Sequence, residues 1–261
     1  MSSILFAVAV VAGIGLVAGV GLAVAAAVMH VPVDERVEQL AQALPGANCG
    51  ACGYAGCASY AEAVAAGAPT NLCTPGGDGA AQALAEIMGV EAQAVARRKA
   101  LVRCNGTHAH CGQSFEYRGE QSCAAASLLY SGQKLCNYGC LGFGDCAKAC
   151  PHEGILLIDG VARTDQSKCV GCGLCVLACP KDIITMTETV GKAINRCCSQ
   201  APGAVARRQC SSACVGCRLC ARNCPAQAIR VENNLAHVDP EKCSGCGQCV
   251  SKCPTKSLVM S

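Results

Sequence analysis

Residues 3–29, SILFAVAVVAGIGLVAGVGLAVAAAVM, run without a charged side chain, and the first ionisable groups beyond them are His30, Asp34 and Glu35. About 20 apolar residues in a helix cross the hydrocarbon layer of a bilayer, so the pattern predicts a transmembrane anchor over residues 1–30. A cleaved signal would show a basic start and a shorter apolar core, and neither is present. Gly15 and Gly19, one turn apart, would let a partner helix approach closely. After the anchor the pattern breaks into short pieces. VDERVEQLAQALP reads as an amphipathic helix ended by Pro45. Residues 78–100, rich in Ala, Glu and Arg, read as a helical connector, and GILLIDGVAR and AIRVENNLAHV read as β-ribbons around a turn.

Composition explains how such short pieces can fold. The chain has 261 residues, no tryptophan, eight aromatic residues and 26 cysteines, too few large side chains for an ordinary core. Most of the cysteines fall two or three residues apart, whereas disulfide partners scatter among loops, so the content reads as metal-binding. Thiolate ligands need a reducing compartment, which places the cysteine-bearing part in the cytoplasm and the amino terminus outside. The formal charge of +3 gives no field that points to nucleic acid. The clusters Arg97-Arg98-Lys99 and Arg207-Arg208 read as solvated faces or as contacts for an acidic partner.

The spacings carry the chemistry. Cys49-x2-Cys52-x4-Cys57, with Cys73 further on, sits among glycines that let backbone N–H groups turn toward sulfur, which suits a [4Fe-4S] cluster. A zinc site on four cysteines is the alternative. From Cys136 onward the chain repeats at an offset of 74: Cys136, Cys140, Cys146, Cys150, Cys169, Cys172, Cys175 and Cys179 fall on Cys210, Cys214, Cys220, Cys224, Cys243, Cys246, Cys249 and Cys253. Pro151, Pro180, Pro225 and Pro254 close the four runs. Two tandem modules of the two-cluster ferredoxin type follow, in which three cysteines of one run and the fourth of the other hold each cluster.

That rule groups Cys150 with Cys169, Cys172 and Cys175, Cys224 with Cys243, Cys246 and Cys249, and Cys253 with Cys214, Cys217 and Cys220. In the first module Cys140, Cys146 and Cys179 lack a fourth partner, because Phe143 stands opposite Cys217. Cys136, one helical turn before Cys140, is the nearest replacement, and a three-ligand [3Fe-4S] cluster is the other reading. The second copy therefore has a surplus cysteine, Cys210 or Cys217. About five clusters follow, with room for a sixth on Cys104, Cys123, Cys198 and Cys210, unless these are free thiols.

The expected fold is small α+β: an anchor (1–30), a helical four-cysteine [4Fe-4S] domain (31–95), a connector (96–132), a first ferredoxin module (133–190), a linker (191–209) and a second module (210–261). This order of parts, with CGACGYAGC and the irregular CNYGCLGFGDC, resembles the B subunit of the Rnf complex, in its long form with two modules. The resemblance implies an electron-entry and relay subunit of a membrane-bound, Na+- or H+-transporting ferredoxin:NAD+ oxidoreductase. Reduced ferredoxin would be the donor, and other membrane subunits and a flavin- and NAD-binding subunit the partners. No Rossmann fingerprint is present, so NAD is expected elsewhere. The four-cysteine domain also looks like one found in corrinoid iron–sulfur proteins, which offers a second reading as a donor to a corrinoid or methyltransferase system. A passive zinc scaffold is a third.

Overall fold

A computed structural model describes residues 2–28, 34–188 and 191–261, with the side chains of 2–5, 7–9, 11 and 26–28 outside the description. Helix α1 spans Ser2–Val28, and its described side chains are exposed. The expectation of a transmembrane anchor is corrected here: among the described residues no helix is long and apolar enough to cross a membrane. Several α1 side chains and His30, at the anchor's expected end, lie outside the described residues. What the structure gives for this segment is an uncharged helix whose described side chains are exposed.

The four-cysteine region is a helical unit. Helix α2 (Glu35–Ala43) starts where Asp34 accepts the Arg36 N–H at 2.9 Å, and Glu35 and Glu38 lie in its first turn, where the helix dipole favours negative charge. Its Leu40, with Leu44, packs on Tyr60, Ala61 and Val64 of α3 (Cys57–Ala65) and on Leu84 of α4 (Gly77–Met88). The buried Tyr60 hydroxyl donates to the Pro69 carbonyl at 2.8 Å and accepts from the Leu72 N–H at 3.1 Å, tying the loop that carries Cys73 to α3. The connector is shorter than its composition implies. Gly89, at φ +66°, closes α4, and residues Lys99–Val102 form strand β1 instead of helix.

Two copies of one small unit follow. The first has α5 (Cys123–Ser127), α6 (Asp145–Lys148), the hairpin β2 (Ile155–Ile158) and β3 (Val161–Thr164), α7 (Leu174–Leu177) and β4 (Ile184–Thr187). The second begins with β5 (Ala193–Asn195) and α8 (Gly203–Gln209). Then come α9 (Leu219–Arg222), the hairpin β6 (Ile229–Glu232) and β7 (Leu235–Val238), α10 (Gln248–Ser251) and β8 (Leu258–Met260). Among the described residues the four two-stranded sheets are antiparallel.

Each copy is closed by a strand drawn from upstream of its cysteine runs. β1 pairs with β4, Val102 facing Ile184, and β5 pairs with β8, Asn195 facing Leu258. Part of the connector and part of the linker therefore belong to the modules. Because Ile184 and Leu258 are themselves equivalent at the offset of 74, the register equates Val102 with Asn195, an offset of 93 for this strand. The difference is taken up by an insertion in the first copy that carries α5.

Candidate metal centres

The cysteines are free of disulfides, and the fold brings most of them together around cavities. In the amino-terminal unit Cys49 and Cys52 sit on a loop turned by Gly50 and Gly53, at φ +72° and +90°. Cys57 opens α3, where its N–H donates to Asn48 Oδ1 at 2.8 Å. A Cβ on Gly76 would stand 3.1 Å from Cys73 Sγ, so glycine permits this close approach. Burial, together with the neighbouring Cys57, Cys52 and Cys49, raises the Cys73 thiol, while the Gly76 N–H opposes the shift.

In the first module Cys175 lies beside Cys169, Cys172 and Cys150. Cys150 Sγ accepts the Gly154 N–H at 3.3 Å and Cys169 Sγ accepts the Ala100 N–H at 3.4 Å. The matching site of the second module gathers Cys249, Cys224 and Cys243, with Cys246 on the exposed turn between Cys243 and Cys249 and the Ala228 N–H donating to Cys224 at 3.3 Å. Cys214, Cys217, Cys220 and Cys253 line one cavity of about 320 Å3, where Ser257 Oγ stands 3.4 Å from Cys253 Sγ.

The irregular site departs from expectation. Its cavity, about 360 Å3, is lined by Cys140, Cys146, Cys179 and Cys123. Cys123 arrives with the insertion: Asp145 accepts hydrogen bonds from Ser122 Oγ and the Ala124 N–H, both at 3.0 Å, which fastens the start of α5 beside Cys146. Burial works against ionisation of Asp145, yet the Cys123 and Ala124 N–H groups and the Ser122 hydroxyl hold its carboxyl below the ordinary value. Phe143, opposite the second copy's Cys217, packs against Tyr117 with ring centres 5.4 Å apart and the planes tilted by 57°. Cys136 does not reach this cavity. The chain before Cys140 turns without forming a helix, so spacing by four does not set Cys136 next to Cys140.

Cys136 lies instead in a cavity of about 340 Å3 with Cys104, Cys111, Cys197, Cys198 and Cys210. Three of the residues expected for a sixth cluster, Cys104, Cys198 and Cys210, are therefore together here, and Cys123 is not. Spacing alone gives Cys111 and Cys197 no role, although Arg103-Cys104 and Arg196-Cys197 follow matching strands and signal the pair. Arg103, Lys134 and Arg196 also line the cavity. Lys134 is buried, and its Nζ donates to the carbonyls of Gly106 at 2.7 Å and Gly160 at 2.9 Å.

These sites fit iron–sulfur clusters on their donor chemistry. Sulfur donors dominate, and backbone N–H groups point at them, which stabilises charge on a cluster's thiolates. Among the described residues no three of His, Cys, Asp and Glu converge closely enough to share one metal ion. Burial pushes the thiol of Cys146 up to about 12 and those of Cys175 and Cys220 up to about 11, above the ordinary 9.0. These thiols are neutral at pH 7, while metals bind thiolates, so loading expels protons. Anaerobic reconstitution is expected to load more iron at about pH 8.5 than at about pH 6.5. Iron per chain measures it, and equal loading would show that proton release does not limit assembly.

Comparison with known proteins agrees with this chemistry. Family models described as "Putative Fe-S cluster", "4Fe-4S binding domain" and "4Fe-4S dicluster domain" match residues 44–75, 162–185 and 213–257. The chain therefore carries multiple [4Fe-4S] clusters. It is 43% identical to the B subunit of the Na(+)-translocating ferredoxin:NAD(+) oxidoreductase complex of Acetobacterium woodii, over 93% of this chain and 73% of that one. It is 46% identical to the proton-translocating counterpart of Clostridium ljungdahlii, over 79% and 74%. The B subunit of the ion-translocating oxidoreductase complex of Methanosarcina acetivorans is 39% identical over 93% of both chains. With such identity over most of its length, the chain belongs to the family of B subunits of ion-translocating ferredoxin:NAD+ oxidoreductase complexes.

Proposed function

We propose that this chain is the electron-entry and relay subunit of such a complex, taking electrons from reduced ferredoxin and passing them to partner subunits. The observation that carries the proposal is that the cysteine sites adjoin one another along the molecule. Cys49 and Cys52 share an open cleft with Cys172; burial raises the Cys172 thiol, the Leu174 N–H opposes it, and Cys49 is close enough to add to the rise. Cys146 has Cys175 among its neighbours. Helices α6 and α7, which carry these two, pack together, as do α9 and α10 with Cys220 and Cys249. When bound, [4Fe-4S] clusters supply one-electron carriers, and transfer between them needs close spacing. The protein's part is to hold thiolates in series, aim N–H groups at them and keep water from the inner sites.

On this reading five sites have four cysteines each: Cys49, Cys52, Cys57 and Cys73; Cys150, Cys169, Cys172 and Cys175; Cys123, Cys140, Cys146 and Cys179; Cys214, Cys217, Cys220 and Cys253; Cys224, Cys243, Cys246 and Cys249. NAD and the transported ion are the business of other subunits of the assembly, since the sequence holds no dinucleotide fingerprint. Thiolate ligands need a reducing compartment, which supports a cytoplasmic side for the cluster-bearing part of that assembly. The names of the two relatives from Acetobacterium and Clostridium point to ferredoxin and NAD+, and nothing in the structure favours the corrinoid reading.

The test is anaerobic purification of the full chain, iron and sulfide analysis, and mixing with reduced ferredoxin. Bleaching of the visible absorbance to the extent reached with a strong chemical reductant is expected. A chain that holds zinc, or that stays unbleached by reduced ferredoxin, would overturn the proposal.

A further inference from the structure

The cavity with six cysteines lies where the two modules meet, and the duplication sorts its cysteines. Cys104 follows β1 and Cys197 follows β5 at equivalent positions of the strand register. Cys104 Sγ accepts the N–H of Gly106 at 3.4 Å and of Cys140 at 3.3 Å. Cys197 Sγ accepts the N–H of Ser199 and of Cys214, the second copy's equivalent of Cys140. Cys136 and Cys210 are equivalent at the offset of 74, and they accept the N–H groups of Tyr138 and Ser212, each two residues on. These four thiols thus form two pairs with the same hydrogen-bond pattern, one pair from each copy.

Cys111 and Cys198 stand outside the pattern. Cys111 has no counterpart; its Sγ meets that of Cys210 and accepts the N–H groups of Cys136 and Leu135. Cys198 donates its thiol proton to the Tyr138 carbonyl at 3.0 Å, the role of a neutral thiol. Two further observations, one of size and one of charge, bear on what the cavity holds. The cavity, at about 340 Å3, lies between the two fully lined module cavities in size, about 320 and 360 Å3. Arg196 Nε, on its wall, is buried without a hydrogen-bond partner, and a cluster sulfur is an acceptor for it.

We propose that Cys104, Cys136, Cys197 and Cys210 hold a further [4Fe-4S] cluster at the junction of the modules, two ligands from each copy. The proposal rests on the relay reading and deepens it. Cys140 and Cys214, ligands of the inner sites of the two modules, donate directly to two of the junction sulfurs, so this site joins the modules into one path.

The test counts iron and sulfide in the anaerobically purified full chain and its variants. The unaltered chain is expected to hold about 24 irons, and Cys136→Ser and Cys197→Ser about 20 each. Cys111→Ser/Cys198→Ser leaves only the four named cysteines in the cavity and is expected to keep about 24. That double variant decides the matter even if the single ones fail to fold. A fall to about 20 in the double variant, or unchanged iron in both single variants, would overturn the assignment. About 20 irons in the unaltered chain and in every variant would remove the junction cluster and leave the relay standing. A chain without acid-labile sulfide would remove both.

Discussion

Cys123→Ser is expected to cost the full chain one cluster of the first module, about four irons, with the other sites intact. The geometry behind this is specific: Cys123 shares a cavity with Cys140, Cys146 and Cys179 and is set there by the Asp145 clamp. Iron analysis and the reduced EPR spectrum are the checks. Adding Phe143→Cys in the same chain should restore the cluster, because position 143 corresponds to Cys217, which lines the equivalent cavity of the second copy. Rescue by that second change separates a lost ligand from general damage to α5. An unchanged iron content in Cys123→Ser would show that three ligands suffice at this site.

The second expected result is loss of cooperative folding when the iron is extracted. Among the described residues, half of the buried side chains in the core around the second module are cysteines, with Cys111 and Cys136 joining from upstream, and several of the rest are alanines. Metal binding at thiolate sites that an unfolded chain does not preform is itself folding free energy, and a whole domain is stable by only about 5–15 kcal/mol. Chelation under mild oxidation should therefore abolish the thermal transition of both modules, followed by circular dichroism and calorimetry. A retained cooperative melt would mean that the apolar contacts alone hold the fold.

The regular runs are legible in the sequence because their ligands are local. Two residues between cysteines and a proline after the fourth fix three thiols around one loop, and the partner run repeats the device. Cys123 is not legible, because its place depends on a hydrogen bond from Ser122 to Asp145, a tertiary contact with no local pattern. The pairing of Cys104 with Cys197 is hidden for a different reason. The insertion shifts that strand from an offset of 74 to 93, and a single overlay of the chain on itself does not align both. Helical spacing would set Cys136 beside Cys140, but the chain there only turns. Ala and Glu favour helix throughout the connector, yet one glycine in left-handed conformation ends it early. Apolar length alone predicts the amino-terminal span; it describes α1, but does not yield a membrane-crossing helix among the described residues.

The closing strands bear on how this protein can be cut. A fragment begun at the first cysteine of either repeat, Cys136 or Cys210, would leave behind β1 or β5 and expose the edge of β4 or β8. It would also discard Cys104 or Cys197. Self-sufficient pieces have to start upstream of Lys99 or Ala193, so a recombinant ferredoxin module trimmed to its sequence motif is an aggregation hazard, whereas one that keeps its leading strand retains both its edge pairing and its share of the junction.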